Sequence, residues 1–146
     1  CPISYTDLQP MSDVNPTFVA ALKQLARDSD ALILAAAADK AEAIINAEVL
    51  QALGKDGYLI NVARGKLVNE ADLVAALAAG EIAGAGLDVF VDEPNVPEAL
   101  FGNEHVVLQP HRASATLQTR TRMGEMVVAS LLDSFAGKTP QGCVTG

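Results

Sequence analysis

"YLINVARGKLVNEADLVAALAAGEIAGAGLDVF", residues 58–90, contains three segments of different character. "YLINVA" over 58–63 is a short continuous aliphatic run, the pattern of a strand buried inside a parallel sheet. "NEADLVAALAAGE" reads as a helix with Asn69 as N-cap and Gly80 as its stop. "IAGAGLDVF" over 82–90 returns to strand, now rich in small residues. Strand, helix and strand in about thirty residues make a βαβ unit, whose two strands run parallel.

The alternation extends in both directions. Upstream, "PISYT" (2–6) is a strand and "DLQPMSDVNP" a polar loop. "TFVAALKQLARDS" follows as a helix with Phe18, Leu22 and Leu25 on one face, and "ALILA" (31–35) as a buried strand. "NAEVLQALG" is a helix between Asn46 as N-cap and Gly54 as stop. Downstream, "VVLQ" (106–109) is a strand, and one long helix runs from about Ser114 to Ala136. The chain therefore reads as α/β, a parallel sheet wrapped by helices with right-handed crossovers.

Composition narrows the class. The 146 residues, half of them apolar, suffice for one domain with its own core. A net charge of −8 repels phosphate backbones and anionic membranes, so neither nucleic acid nor membrane is an expected partner. The arginines of "TRTRM" (119–123) read as a solvated helix face. "ALILAAAA" (31–38), the longest apolar run, falls well short of the roughly 20 residues of a membrane span. Cys1 and Cys143 have neither metal-ligand spacing nor a disulfide framework, which points to no metal and to a reducing, cytoplasmic setting.

Ligands of open parallel sheets bind beyond the carboxyl ends of the strands. The residues following each strand there are Arg64 after "YLINVA", Asp88 and Glu93 after "IAGAGL", and His111 after "VVLQP". Arginine holds a carboxylate by two parallel charge-assisted hydrogen bonds, which lysine cannot reproduce. Histidine exchanges a proton near neutrality, and a neighbouring glutamate stabilises the imidazolium and fixes the ring. A carboxylate clamp beside a proton donor is what reduction of a 2-oxo acid requires. Gly84 and Gly86 form a Gly-x-Gly pair, but inside a strand rather than at a helix start. They read as small residues that admit a helix or a cofactor.

Three blocks, "LINVARGKLVNEADLVAAL" (59–77), "GEIAGAGLDVFVDEPNVPEAL" (80–100) and "HVVLQPHRASAT" (105–116), resemble the D-isomer-specific 2-hydroxyacid dehydrogenases, most closely the glyoxylate and hydroxypyruvate reductase branch. The resemblance implies a Rossmann-type, doubly wound parallel sheet. It also implies that residues 1–146 are a partial dinucleotide-binding domain, without its first strand and Gly-rich loop and without the substrate domain. On that reading this stretch alone is inactive. As the resemblance has it, Arg64, Glu93 and His111 are the catalytic residues, binding the substrate, partnering the histidine and protonating the carbonyl oxygen. Val62, Ala63, Arg64, Asp88, His111 and Ala113 lie against the cofactor. Asp7 stands where an acidic residue bonds the adenosine ribose and repels a 2′-phosphate, with Leu8 where NADP-using relatives carry Arg. NAD is therefore expected over NADP. A small 2-oxo or 2-hydroxy acid is the expected substrate, and the full-length protein is expected to be a homodimer.

Two departures accompany the resemblance. "AAAADKAEAII" (35–45) lacks the Pro and Thr usual in the family, and Arg112 stands where a small or aliphatic residue is usual, adding positive charge beside the proposed acid. Because the family includes transcriptional corepressors on the same fold, a dinucleotide-sensing interaction protein is the alternative function.

Overall fold

The computed structural model describes residues 1–12, 14–36 and 41–143. It divides into two compact units, residues 1–111 and 112–146.

The first unit opens with β1 (Ser4–Tyr5), which pairs in parallel with β2 (Thr17–Phe18) in a two-stranded sheet of their own. The helix expected from Thr17 therefore begins later, as α1 (Leu22–Arg27). The β-branched Thr17 and aromatic Phe18 favour an extended backbone. Their pairing is extended by bonds from Thr17 N–H to Ile3 O and Val19 N–H to Tyr5 O, and the Phe18 ring packs at 5.5 Å from that of Tyr5. Pairing with β1 outcompetes the helical spacing of Phe18, Leu22 and Leu25.

After α1 the chain forms β3 (Ala31–Leu34), α2 (Ala47–Leu53), β4 (Tyr58–Asn61), α3 (Glu70–Ala79), β5 (Gly84–Leu87) and β6 (Val106–Leu108). The four strands make one wholly parallel sheet in the order β3-β4-β5-β6. Asn46 and Asn69 cap α2 and α3, their side chains accepting the Val49 and Asp72 N–H groups. Each cap contributes about 1 kcal/mol. Gly80 ends α3 at φ +67°, and the Gly80 and Glu81 amides bond back to Leu77 O and Ala76 O. Between β5 and β6 the connection is a 3-10 turn over Glu98–Leu100 in place of a helix.

Leu32, Leu34, Leu59, Ala85 and Leu87 lie on one face of the sheet and share a core with Val49, Leu50 and Leu53 of α2 and Leu73, Ala76 and Leu77 of α3. Because side chains alternate along a strand, Ile33, Tyr58 and Val107 fall on the other face, where they are exposed. "ALILA" is thus buried on one side only, with Ile33 61% exposed, as is Tyr58 on the internal strand β4. At both strand glycines an added side chain would meet the neighbouring chain. A Cβ on Gly84 would lie 2.4 Å from the His105 carbonyl oxygen, and one on Gly86 3.1 Å from Ile60 Cδ1. Close packing between neighbouring strands accounts for both.

In the second unit, α4 (Leu117–Phe135) begins three residues after Ser114, because Thr116 takes the N-cap and accepts the Thr119 N–H. Arg120 and Arg122 are exposed, Arg122 with Glu125 at 3.7 Å. Among the described residues no helix is long and apolar enough to cross a membrane.

Candidate active site

The carboxyl ends of β4, β5 and β6 all open on the same edge of the parallel sheet, and three loops leave from it. Arg64 lies three residues beyond β4, Asp88 immediately beyond β5 with Glu93 five residues further, and His111 three beyond β6.

Glu93 and His111 meet directly, His111 Nδ1 lying 2.7 Å from Glu93 Oε2. The other carboxylate oxygen, Oε1, accepts the Phe90 N–H at 3.0 Å, so the carboxylate is fixed to its own loop before it reaches the ring. The His111 bond first, and then the Phe90 amide, hold the Glu93 carboxyl below its ordinary value of 4.5; partial burial and the nearby Asp88 charge oppose them. Ionised near neutral pH, Glu93 can only accept. Nδ1 must therefore carry the proton in that bond, which leaves Nε2 as the ring's reacting nitrogen. The backbone of His111 adopts φ +53°, an uncommon conformation for a side-chain-bearing residue and one that histidine tolerates better than most. A cleft of about 290 Å³ borders the pair, walled mainly by Phe90, Val96, Phe101 and Leu108.

Arg64 reaches the same edge through backbone packing. A Cβ on Gly65 would stand 1.9 Å from the Phe90 carbonyl carbon and 2.4 Å from the Val91 nitrogen, so only glycine lets the loop after β4 lie against the loop that carries Glu93. From the first turn of α3, Glu70 Oε1 accepts the Val91 N–H at 2.9 Å. The Arg64 side chain is exposed, with Nη1 donating to Ala63 O at 2.7 Å. Asp88 is buried, and its N–H bonds Asn61 O at 3.0 Å.

Of the other expected cofactor residues, Val62 is exposed and Ala63 buried in the turn between β4 and Arg64. Asp7 follows β1 rather than a strand of the four-stranded sheet, and its Oδ1 accepts the Leu8 N–H at 2.6 Å; Leu8 is exposed. Ala113 belongs to the second unit. Residues 37–40 of the "AAAADKAEAII" segment lie outside the described residues. Among the described residues no cluster of His, Cys, Asp or Glu is arranged to hold a metal. Sequence reasoning missed Asn61, Gly65 and Glu70. An Asn ending an aliphatic strand and a Gly following the key Arg were the available signals.

The chain is 48% identical over 139 residues to hydroxyphenylpyruvate reductase of Plectranthus scutellarioides, covering 94% of this chain and 44% of that protein. It is 43% identical to glyoxylate/hydroxypyruvate reductase A of Arabidopsis thaliana, covering 95% and 45%. The crystal structure of an NADPH-dependent glyoxylate/hydroxypyruvate reductase from Sinorhizobium meliloti superposes with a TM-score of 0.86 at 46% identity, covering 97% of this chain and 46% of that one. The chain thus spans less than half the length of these relatives. The family model for the NAD binding domain of D-isomer specific 2-hydroxyacid dehydrogenases matches residues 1–113. With that match over most of its length, the chain belongs to the D-isomer-specific 2-hydroxyacid dehydrogenase family.

Proposed function

We propose that the protein carrying this chain reduces a small 2-oxo acid of the glyoxylate or hydroxypyruvate type to the D-2-hydroxy acid, with Arg64, Glu93 and His111 as its catalytic residues. The observation that carries the reading is the 2.7 Å bond between Glu93 and His111 at the sheet edge that Arg64 also occupies. The Arg64 guanidinium holds the substrate carboxylate by paired N–H···O bonds and orients the adjacent carbonyl. A reduced nicotinamide, when bound, supplies a hydride to the carbonyl carbon and is itself oxidised. His111 Nε2 gives its proton to the carbonyl oxygen, so that C=O becomes H–C–O–H, and Glu93 stabilises the imidazolium before the transfer and keeps Nδ1 protonated after it.

The residues present fit the nicotinamide end of a dinucleotide: Val62 lies exposed beside Ala63 in a turn at the sheet edge, and Asp88 supplies a carboxylate beyond β5. The sequence contains no Gly-x-Gly-x-x-Gly loop for the pyrophosphate. Preference for NAD over NADP is not settled by Asp7, because the Sinorhizobium enzyme at 46% identity is NADPH-dependent and was crystallised with NADP and malonate. The reading is therefore NAD or NADP, on equal footing. Catalysis is favoured over the corepressor-like alternative because the relatives compared above are named as reductases. A homodimer is the proposed assembly, testable by mass in solution. Cytoplasmic location is supported by the two free, exposed thiols Cys1 and Cys143.

The test is to supply the full-length protein with NADH or NADPH and each of glyoxylate and hydroxypyruvate, following loss of dihydronicotinamide absorbance. Cofactor oxidation with formation of the D-isomer from hydroxypyruvate is the expected result. Absence of turnover with either acid and either cofactor would overturn the reading.

A further inference from the structure

We infer that Asn61 is a positioning residue that sets Arg64 for the substrate through the backbone; the inference rests on the carboxylate-binding reading of Arg64 above. Asn61 is the last residue of β4 and only 1% exposed, one of two buried polar residues among those described. An amide in that place is costly to bury unless both its ends are bonded, and a Leu of similar size would fill the space without that cost. Both ends are bonded, and both to the turn that leads to Arg64. Oδ1 accepts the Ala63 N–H at 3.1 Å, and Nδ2 donates to the Arg64 carbonyl at 3.0 Å. Because one partner is a donor and the other an acceptor, the amide has only one satisfactory orientation.

The turn has other restraints as well: Ala63 is buried in the core, and the Arg64 carbonyl also accepts the Leu67 N–H at 3.3 Å. Val62 is 45% exposed and the Arg64 side chain lies on the surface, so packing fixes Ala63 but not the residues on either side of it. The guanidinium is also tethered to Ala63 O, so a shift of the Ala63–Arg64 backbone displaces both the root of the side chain and its Nη1. The main chain of Asn61 meanwhile accepts the Asp88 N–H, which ties the same residue to the start of the loop carrying Glu93. Asn61 thereby relates the carboxylate clamp to the frame of the acid pair without touching substrate.

The experiment is a double-mutant cycle in the full-length protein. Asn61→Ser keeps polarity but cannot span both bonds. It should raise KM and lower kcat for the 2-oxo acid, with kcat/KM down about 10- to 100-fold, the scale of an ångström-sized misplacement of a binding group. Cofactor Kd should rise by a smaller factor than KM, because only the nicotinamide end meets this turn. In an Arg64→Lys background, where the two-pronged grip is already lost, the same substitution should have only a small fraction of that effect. Should Asn61→Ser fail to fold, Asn61→Asp, which keeps the size and the Ala63 bond, carries the same comparison. Effects that simply multiply in the two backgrounds, or a lowered melting point with unchanged KM and kcat, would overturn the proposal. Unchanged kinetics in Arg64→Lys itself would instead remove the reading of Arg64, and the role of Asn61 with it.

Discussion

Glu93 has its two carboxylate oxygens on two different partners, the Phe90 amide and the His111 ring, and that division makes its ionised form a structural element. Its lowered pKa has a definite sign. A depressed folded-state value contributes stability that is present above the unfolded value near 4.5 and is lost as pH falls through the lowered one. The acid loss attributable to this residue should therefore lie at and below pH 4.5, and Glu93→Gln should remove that part of the pH dependence of the melting temperature while lowering turnover at neutral pH. An identical acid profile in the variant would show that the carboxylate is not held as described. Arg64, Glu93 and His111 were legible in the sequence because ionisable side chains that follow aliphatic strands have one common destination, the carboxyl edge of the sheet. Asn61 and Gly65 were not, because they act on backbone atoms that lie far away in sequence or that only the folded turn brings within reach.

The glycines show the same division among the elements. Gly80 was recognised from its place after a helix, and it occupies a left-handed conformation with open space around its missing Cβ. Gly65 lies in a turn with no periodicity, and its necessity comes from the loop after β5, some 25 residues further along the chain. Gly80→Ala should cost about 1–2 kcal/mol, from backbone strain alone. Gly65→Ala should cost more, with reduced activity, because the atoms a methyl would meet belong to the Phe90 backbone, which cannot rotate away. Equal shifts in the denaturation midpoints of the two variants would contradict this account. The strand at Thr17–Phe18 escaped the sequence reading for a similar reason. Two residues carry too little pattern to outweigh a helical spacing that continues correctly into Leu22 and Leu25, and only the pairing with Ser4–Tyr5 decides.

At the scale of the molecule, the order of aliphatic runs and capped helices sufficed for the parallel α/β fold, because each strand had its own helix or turn to return the chain to the same edge. The separation of β1 and β2 into their own sheet depends on a pairing that hydrophobic pattern does not encode. What the fold accomplishes is to bring Arg64, Glu93 and His111, spread over nearly fifty residues of sequence, to one edge of the sheet, where we propose that a carboxylate is held and a proton delivered. The central claim is that this proton comes from His111. The direct measurement is the kcat of His111→Gln in the full-length protein at saturating cofactor, together with the Kd of that cofactor. A loss of about 10²- to 10⁴-fold in kcat with a nearly unchanged Kd is predicted, the usual consequence of removing a positioned general acid. A variant that keeps more than half the wild-type kcat would contradict the account.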